Sequence, residues 1–179
     1  MGKHDQIDLP ALPHCVVVIP AHNEAEDIGF VIGELNRCCN FPVVVVDDAS
    51  SDDTIAAARA AGATVIPLDV QLGAWGATQT GLRFALRKGY SYAITMDADG
   101  QHQAESLPAL LRPIIEEQAD VVIGACTRRG SVLRKIAWKL MKRVSGLRLE
   151  DLTSGFRVYD YRAIRRLAGW QATLLEYQD

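Results

Sequence analysis

Short runs of β-branched residues alternate with longer stretches of helical character, and this rhythm restricts the chain more than any other feature. The runs fall at 16–19, 43–46, 64–66, 92–96 and 120–123, and helices are expected between them at about 24–38, 53–61, 74–88 and 104–117. Runs that are apolar throughout, not at alternate positions only, suit strands covered on both faces. Strict strand–helix alternation then predicts an α/β fold: a doubly wound, mainly parallel sheet with helices on both faces. After residue 130 the rhythm changes. A basic amphipathic helix, a turn at Thr153-Ser154-Gly155, a short strand near 156–159 and one more helix are expected there.

Composition narrows the class further. At 179 residues, 49% hydrophobic and 23% charged, the chain has the make-up of one soluble globular domain with a substantial core. Polar residues 1–13, with Pro10 and Pro13, read as a flexible leader, and 14–179 as a single domain. A net charge of -3 gives no cue for nucleic acid. Cys15, Cys38, Cys39 and Cys126 lack zinc-type spacing and suit no ordinary disulfide framework, so they are read as reduced thiols in a cytoplasmic setting. No signal-peptide pattern opens the chain, and no apolar stretch reaches the roughly 20 residues that span a bilayer.

In a parallel sheet of this kind the carboxyl ends of the strands share one edge, where ligands bind. The first strand runs into Pro20-Ala21-His22-Asn23-Glu24, the second into Asp47-Asp48-Ala49-Ser50 and the fourth into Asp97-Ala98-Asp99-Gly100-Gln101-His102. Two carboxylates one residue apart at a strand end are hard oxygen ligands for Mg²⁺ or Mn²⁺, which share their remaining positions with substrate phosphate. Asn23 and Ser50 also suit helix capping, and Ser50 with Asp53 has capping-box spacing. The small residues of Leu72-Gly73-Ala74-Trp75-Gly76-Ala77-Thr78-Gln79-Thr80-Gly81 fit phosphate approach at a helix N-terminus, and fit close packing of helix on sheet almost equally. Arg128, Arg129, Arg134, Lys135, Lys139, Lys142 and Arg143 lie in a span without an acid, on a helical period of apolar residues. That pattern suits a core-facing helix with a solvated back, neutralisation of a diphosphate, or contact with anionic lipid through 128–143.

Val17-Val18-Ile19-Pro20-Ala21-His22-Asn23-Glu24, Val45-Val46-Asp47-Asp48-Ala49-Ser50 and Asp97-Ala98-Asp99-Gly100-Gln101-His102 together resemble the family 2 glycosyltransferases, which have the GT-A fold. Asp151-Leu152-Thr153-Ser154-Gly155-Phe156-Arg157 is similar to a segment of their dolichol- or polyprenyl-phosphate mannosyltransferase branch. The resemblance covers about 15–170. It implies that Pro20, His22, Glu24, Val46 and Asp48 hold the nucleotide base and ribose. It assigns the metal–diphosphate to Asp97 and Asp99, lines the pocket with Ala98, adds Gln101 as a metal ligand and places Arg134 on phosphate. Asp99 and Arg134 would then be the catalytic pair. The chain departs from the family pattern at Gly124-Ala125-Cys126, where an Arg is common, and at Gln71-Leu72-Gly73-Ala74, which lacks a Lys. Relatives usually continue beyond the position of Asp179, so 14–179 is expected to be a C-terminally truncated domain.

The implied activity is metal-dependent, inverting transfer of a hexose from a GDP- or UDP-sugar to a polyprenyl phosphate or a cell-envelope glycan. Its expected place is the cytoplasm, peripheral at the inner face of the membrane, with no nucleic-acid partner. A phosphate acceptor is already anionic and needs no general base, whereas a sugar hydroxyl needs a carboxylate, for which Asp151, Glu176 and Asp179 are candidates. The competing reading is a non-catalytic nucleotide-sugar-binding subunit. Sugar-nucleotide synthesis, which opens with a Gly-rich loop and a Lys, does not fit Pro20-Ala21-His22-Asn23-Glu24.

Overall fold

The computed structural model describes residues 14–98, 106–124 and 154–170. In chain order they form β1 (Cys15–Ala21), α1 (Ile28–Cys38), β2 (Val43–Asp47), α2 (Thr54–Ala60), β3 (Thr64–Pro67), α3 (Gly73–Arg87), β4 (Tyr92–Thr95), α4 (Leu107–Ile115), β5 (Val121–Ile123), β6 (Arg157–Asp160) and α5 (Tyr161–Ala168). The expected alternation holds, with shifts of a few residues at the ends. The largest is at α1, expected from residue 24 but starting at Ile28, because residues 24–27 form turns in which Glu24 O receives both Asp27 N and Ile28 N. The basic helix expected around 128–143 lies outside the described residues.

The sheet order is β3-β2-β1-β4-β6-β5. β1 to β4 are mutually parallel, whereas β6 is antiparallel to both β4 and β5. The sheet is therefore mainly parallel, with one reversed strand between β4 and β5.

Side chains along β1 alternate between two cores. Cys15, Val17, Ile19 and Ala21 pack with α1, α2 and α4, while Val16 and Val18 pack with α3 and α5. This is the period of two that every strand imposes, and it explains why β1 and β2 need apolar residues at almost every position. Burying each Val or Ile contributes about 1.5–3 kcal/mol relative to exposure. The edge strands depart from the expectation of two covered faces: β3 is exposed at Thr64 and Pro67, and Val121 of β5 is 38% exposed.

Winding direction places the ligand edge. The chain steps outward from β1 through β2 to β3, then α3 returns it across the sheet to β4 on the other side of β1. A right-handed crossover in the opposite direction must use the opposite face, so α3 lies across the sheet from α1 and α2. The reversal makes the carboxyl ends of β1 and β4 a topological switch point, where open α/β sheets bind ligands.

Close packing holds α3 on the sheet. A Cβ at Gly81 would collide with Val18 Cγ1 and come within 3.2 Å of Val18 Cβ, so this glycine lets the helix lie on β1. Of the two readings of the glycine-rich stretch, close packing accounts for Gly81. At its other flank α3 is tied to the end of α5, with Gln79 Nε2 donating to Leu167 O and Trp170 O at 2.9 and 2.5 Å and Arg83 Nε donating to Ala168 O at 2.9 Å.

Candidate functional site

Strand register sets the height of each candidate residue at this edge. Pro20 pairs with Val46 on one side, and Val18 with Thr95 on the other. Continued by two residues, the second register brings Asp97 level with Pro20 and Val46. Pro20 can occupy a central strand because Met96 N donates to Val18 O whereas Asp48 N donates to Ala21 O. Residues 18 and 20 therefore face β4, and residue 20 lies where that ladder has ended, so the missing N–H costs no bond.

The turns after β1 and β2 are stitched together by short polar side chains. Asn23 N donates to Ser50 Oγ at 2.9 Å, and Asn23 Oδ1 accepts from Ser51 N at 2.8 Å and Ser51 Oγ at 3.2 Å. Glu24 N donates to Thr54 Oγ1 at 2.8 Å, and Ala25 N to Asp52 Oδ2 at 3.1 Å. Asp52 Oδ1 in turn accepts from Thr54 N at 3.0 Å and from the Thr54 hydroxyl. That hydroxyl, with help from the backbone N–H groups, holds the Asp52 carboxyl below the usual carboxylate range. The capping-box expectation is corrected here. Ser50 binds across to Asn23, and α2 starts at Thr54 after Asp53, which makes no side-chain cap. Both turns use left-handed backbone, at Asn23 (φ 56°) and Ala49 (φ 57°). Asn tolerates this conformation, whereas for Ala it costs roughly 1–2 kcal/mol.

Asp48 reaches the third loop. It is 3% exposed, and its Oδ1 and Oδ2 accept from Leu72 N at 2.7 Å and Gly73 N at 2.9 Å, the N-terminal end of α3. A carboxylate here also meets the positive end of the helix dipole. Its backbone carbonyl accepts from His22 Nδ1 at 2.8 Å. Because a carbonyl only accepts, Nδ1 carries the proton, and Nε2 is left to receive Asn23 Nδ2 at 3.2 Å. Asp47 is 1% exposed; its Oδ2 accepts from Ser50 N at 3.2 Å, and its Oδ1 has no hydrogen-bond partner among the described residues.

The expected site residues thus take different positions. His22 is exposed and Pro20, Glu24 and Asp97 are half-buried at the edge. Val46 is fully buried and Ala98 is 4% exposed. Val46 packs under α3 and Ala98 in the opposite core, so the two side chains lie on opposite faces of the sheet behind the edge. Asp99, Gln101 and Arg134 lie outside the described residues. Asp97 offers hard oxygens at the strand end, the donor type that Mg²⁺ and Mn²⁺ take. Among the described residues no three His, Cys, Asp or Glu side chains gather closely enough to hold a metal.

Thr95, expected only as part of a strand, and Gly155, expected in a turn and in the segment that resembles the polyprenyl-phosphate branch, adjoin Asp97. The Thr95 hydroxyl donates to Gly155 O at 2.7 Å. A Cβ at Gly155 would collide with Asp97 Oδ1 and come within 2.8 Å of Oδ2. The signal available in the sequence was a lone Thr at the end of an apolar strand and the Gly of the Ser154-Gly155-Phe156 segment, neither of which points to Asp97.

A profile of glycosyl transferase family 2 matches residues 16–171, which is most of the chain and both turns of this edge. The chain belongs to glycosyl transferase family 2. It is 34% identical over 168 residues to an undecaprenyl-phosphate mannosyltransferase of Micrococcus luteus, covering 85% of this chain and 68% of that one. It is 29% identical to a polyprenol monophosphomannose synthase of Mycolicibacterium smegmatis, covering 85% and 63%. Its fold matches glucosyl-3-phosphoglycerate synthase of Mycobacterium tuberculosis, solved with Mn²⁺, UDP and glucosyl-3-phosphoglycerate, at a TM-score of 0.68 and 24% identity over 82% of this chain and 56% of that one. The sheet and its helices are those of the GT-A fold. The chain thus spans about two thirds of these curated relatives and little more than half of the solved structure.

Proposed function

We propose that this family 2 chain binds a nucleotide diphosphate sugar at the β1–β4 edge, with Mg²⁺ or Mn²⁺, and transfers the hexose with inversion to a polyprenyl phosphate. The observation that carries the reading is the convergence of three loops at one switch point. The turn after β1 is bonded to the turn after β2, the latter is bonded through Asp48 to α3, and Asp97 follows two residues after the end of the neighbouring strand β4.

Pro20, His22, Glu24 and the Asp48 turn would receive the base and ribose, with Val46 and Ala98 packed in the sheet behind them. Asp97 would hold the metal–diphosphate, and Asp99, Gln101 and Arg134 take their roles from the family resemblance. A bound divalent cation supplies neutralisation of the charge that develops on the departing diphosphate. An oxygen of the acceptor phosphate attacks the anomeric carbon as the bond from that carbon to the diphosphate breaks. The nucleoside diphosphate leaves, and no proton has to be removed from the acceptor. The names of the Micrococcus and Mycolicibacterium relatives favour this acceptor class. Surface contact with a membrane through 128–143 belongs to the same reading. Among the described residues no helix is long and apolar enough to cross a membrane.

Calorimetry with UDP and GDP, each with and without Mn²⁺, tests the donor site. One of the two is expected to bind with a clear Mn²⁺ requirement, and Asp97→Asn is expected to lower that affinity at least tenfold. Binding of neither, or binding indifferent to both Mn²⁺ and Asp97, would overturn the reading. Incubation with labelled GDP-mannose or UDP-glucose and a polyprenyl phosphate then separates enzyme from binding subunit. Labelled lipid is expected, and intact binding without it would favour the non-catalytic alternative.

A further inference from the structure

Thr95 and Asp97 share one face of the sheet. Ile94, Met96 and Ala98 all face the core beneath α1 and α4, so the residues between them face the other way. β6 runs antiparallel to β4 with Thr95 opposite Arg157, and two further steps of that register bring Gly155 opposite Asp97. The segment carrying Gly155 is held from several sides. Thr95, 3% exposed, donates its hydroxyl to Gly155 O at 2.7 Å. Gly124 N donates to Phe156 O at 2.8 Å, and Phe156 N to Ser154 Oγ at 3.2 Å. Gly155 is not among the residues with left-handed backbone. Its missing side chain is therefore needed for room, and the atoms that fill that room are the Asp97 carboxylate.

We propose that Thr95 is a positioning residue: its hydroxyl clamps Gly155 over the Asp97 carboxylate and thereby fixes the orientation in which that carboxylate meets a metal–diphosphate. This rests on the donor-site reading of Asp97. Partners behind a metal-binding carboxylate typically set its affinity by 10- to 100-fold. A Thr in the strand supplies the donor, and a Gly across the ladder leaves the carboxylate one place to lie. A purely structural clamp would affect every ligand of the edge alike. A positioning clamp affects only those that reach Asp97.

The test is titration of the 179-residue chain with Mn²⁺ and whichever of UDP and GDP binds it better, beside NMR titration with the bare nucleoside. Thr95→Val, which keeps the shape and removes the hydroxyl, is expected to lose about tenfold in Mn²⁺-dependent affinity while nucleoside binding stays within about twofold. Thr95→Ser is expected to restore most of the loss. Gly155→Ala, which displaces the carboxylate directly, is expected to lose at least as much and serves where Thr95→Val folds poorly. In an Asp97→Asn background Thr95→Val should cost nothing more. Wild-type Mn²⁺-dependent affinity in Thr95→Val and Gly155→Ala, with Asp97→Asn inactive in binding, would overturn the proposal and leave the donor site standing. Equal losses for nucleoside and diphosphate would also overturn it. If Asp97→Asn itself binds normally, the donor-site reading falls and takes this proposal with it.

Discussion

Both carboxylate oxygens of Asp48 accept backbone N–H groups at the start of α3, which makes this buried side chain a strap between two loops of the site. Such bonds to a charged acceptor contribute about 1.5–3 kcal/mol each, and the helix dipole adds to them. Asp48→Asn retains one acceptor and turns an N–H₂ towards the other donor. It is expected to lower unfolding free energy by about 2 kcal/mol in urea titrations; a loss below about 0.5 kcal/mol would show that the strap carries little. Sequence made Asp48 visible as an acid at a strand end, because strand ends can be located from periodicity alone. It hid the acid's partners, since Leu72 and Gly73 offer only backbone and backbone donors have no residue signature. Asp52 and Thr54 were hidden for the opposite reason: in Ser50-Ser51-Asp52-Asp53-Thr54 every residue can bond, and only the folded turn sends Ser50 and Ser51 to Asn23, pairs Asp52 with Thr54 and leaves Asp53 without a cap.

At the scale of elements, the contact of α3 with β1 decides how closely the layers approach. Ala is the better helix former by about 1 kcal/mol, so in an exposed helix Gly→Ala would stabilise. At Gly81 the added methyl meets Val18, which is fully buried, and overpacking of this kind costs about 1–3 kcal/mol. Gly81→Ala is therefore expected to destabilise by about 1 kcal/mol net, and Val18→Ala in the same chain to recover part of it. Urea midpoints of the two variants and the double variant check this; additive losses would show that the methyl does not meet Val18. Strands and helices were legible because burial on both faces demands continuous apolar runs. The place of β6 was not. Its residues pattern as a short strand, but nothing local says that it enters between β4 and β5, reversed, so that two strands consecutive in sequence are not neighbours in the sheet.

For the whole molecule, the thiol of Cys15 couples global stability to pH. Cys15 begins the central strand, is 2% exposed and lies near Cys39 at the end of α1. Burial pushes its pKa up to about 12, with the charge of Cys39 adding to the effect, and burial raises Cys39 as well. An unfolded cysteine ionises near pH 8.5. Between that value and about 12 the unfolded chain binds fewer protons than the folded one, so this contribution is fully present below the unfolded value and is lost as pH rises. Each pH unit in the window removes about 1.4 kcal/mol per such thiol, a large share of the 5–15 kcal/mol typical of a domain. Urea midpoints measured from pH 7 to pH 10.5 should therefore fall steeply above about pH 9. Cys15→Ala, although less stable at pH 7 because it leaves a void beneath α1, should show a shallower decline, by close to one thiol's share. An unchanged slope would mean that the Cys15 thiol ionises in the folded chain, and that β1 admits water at its first residue.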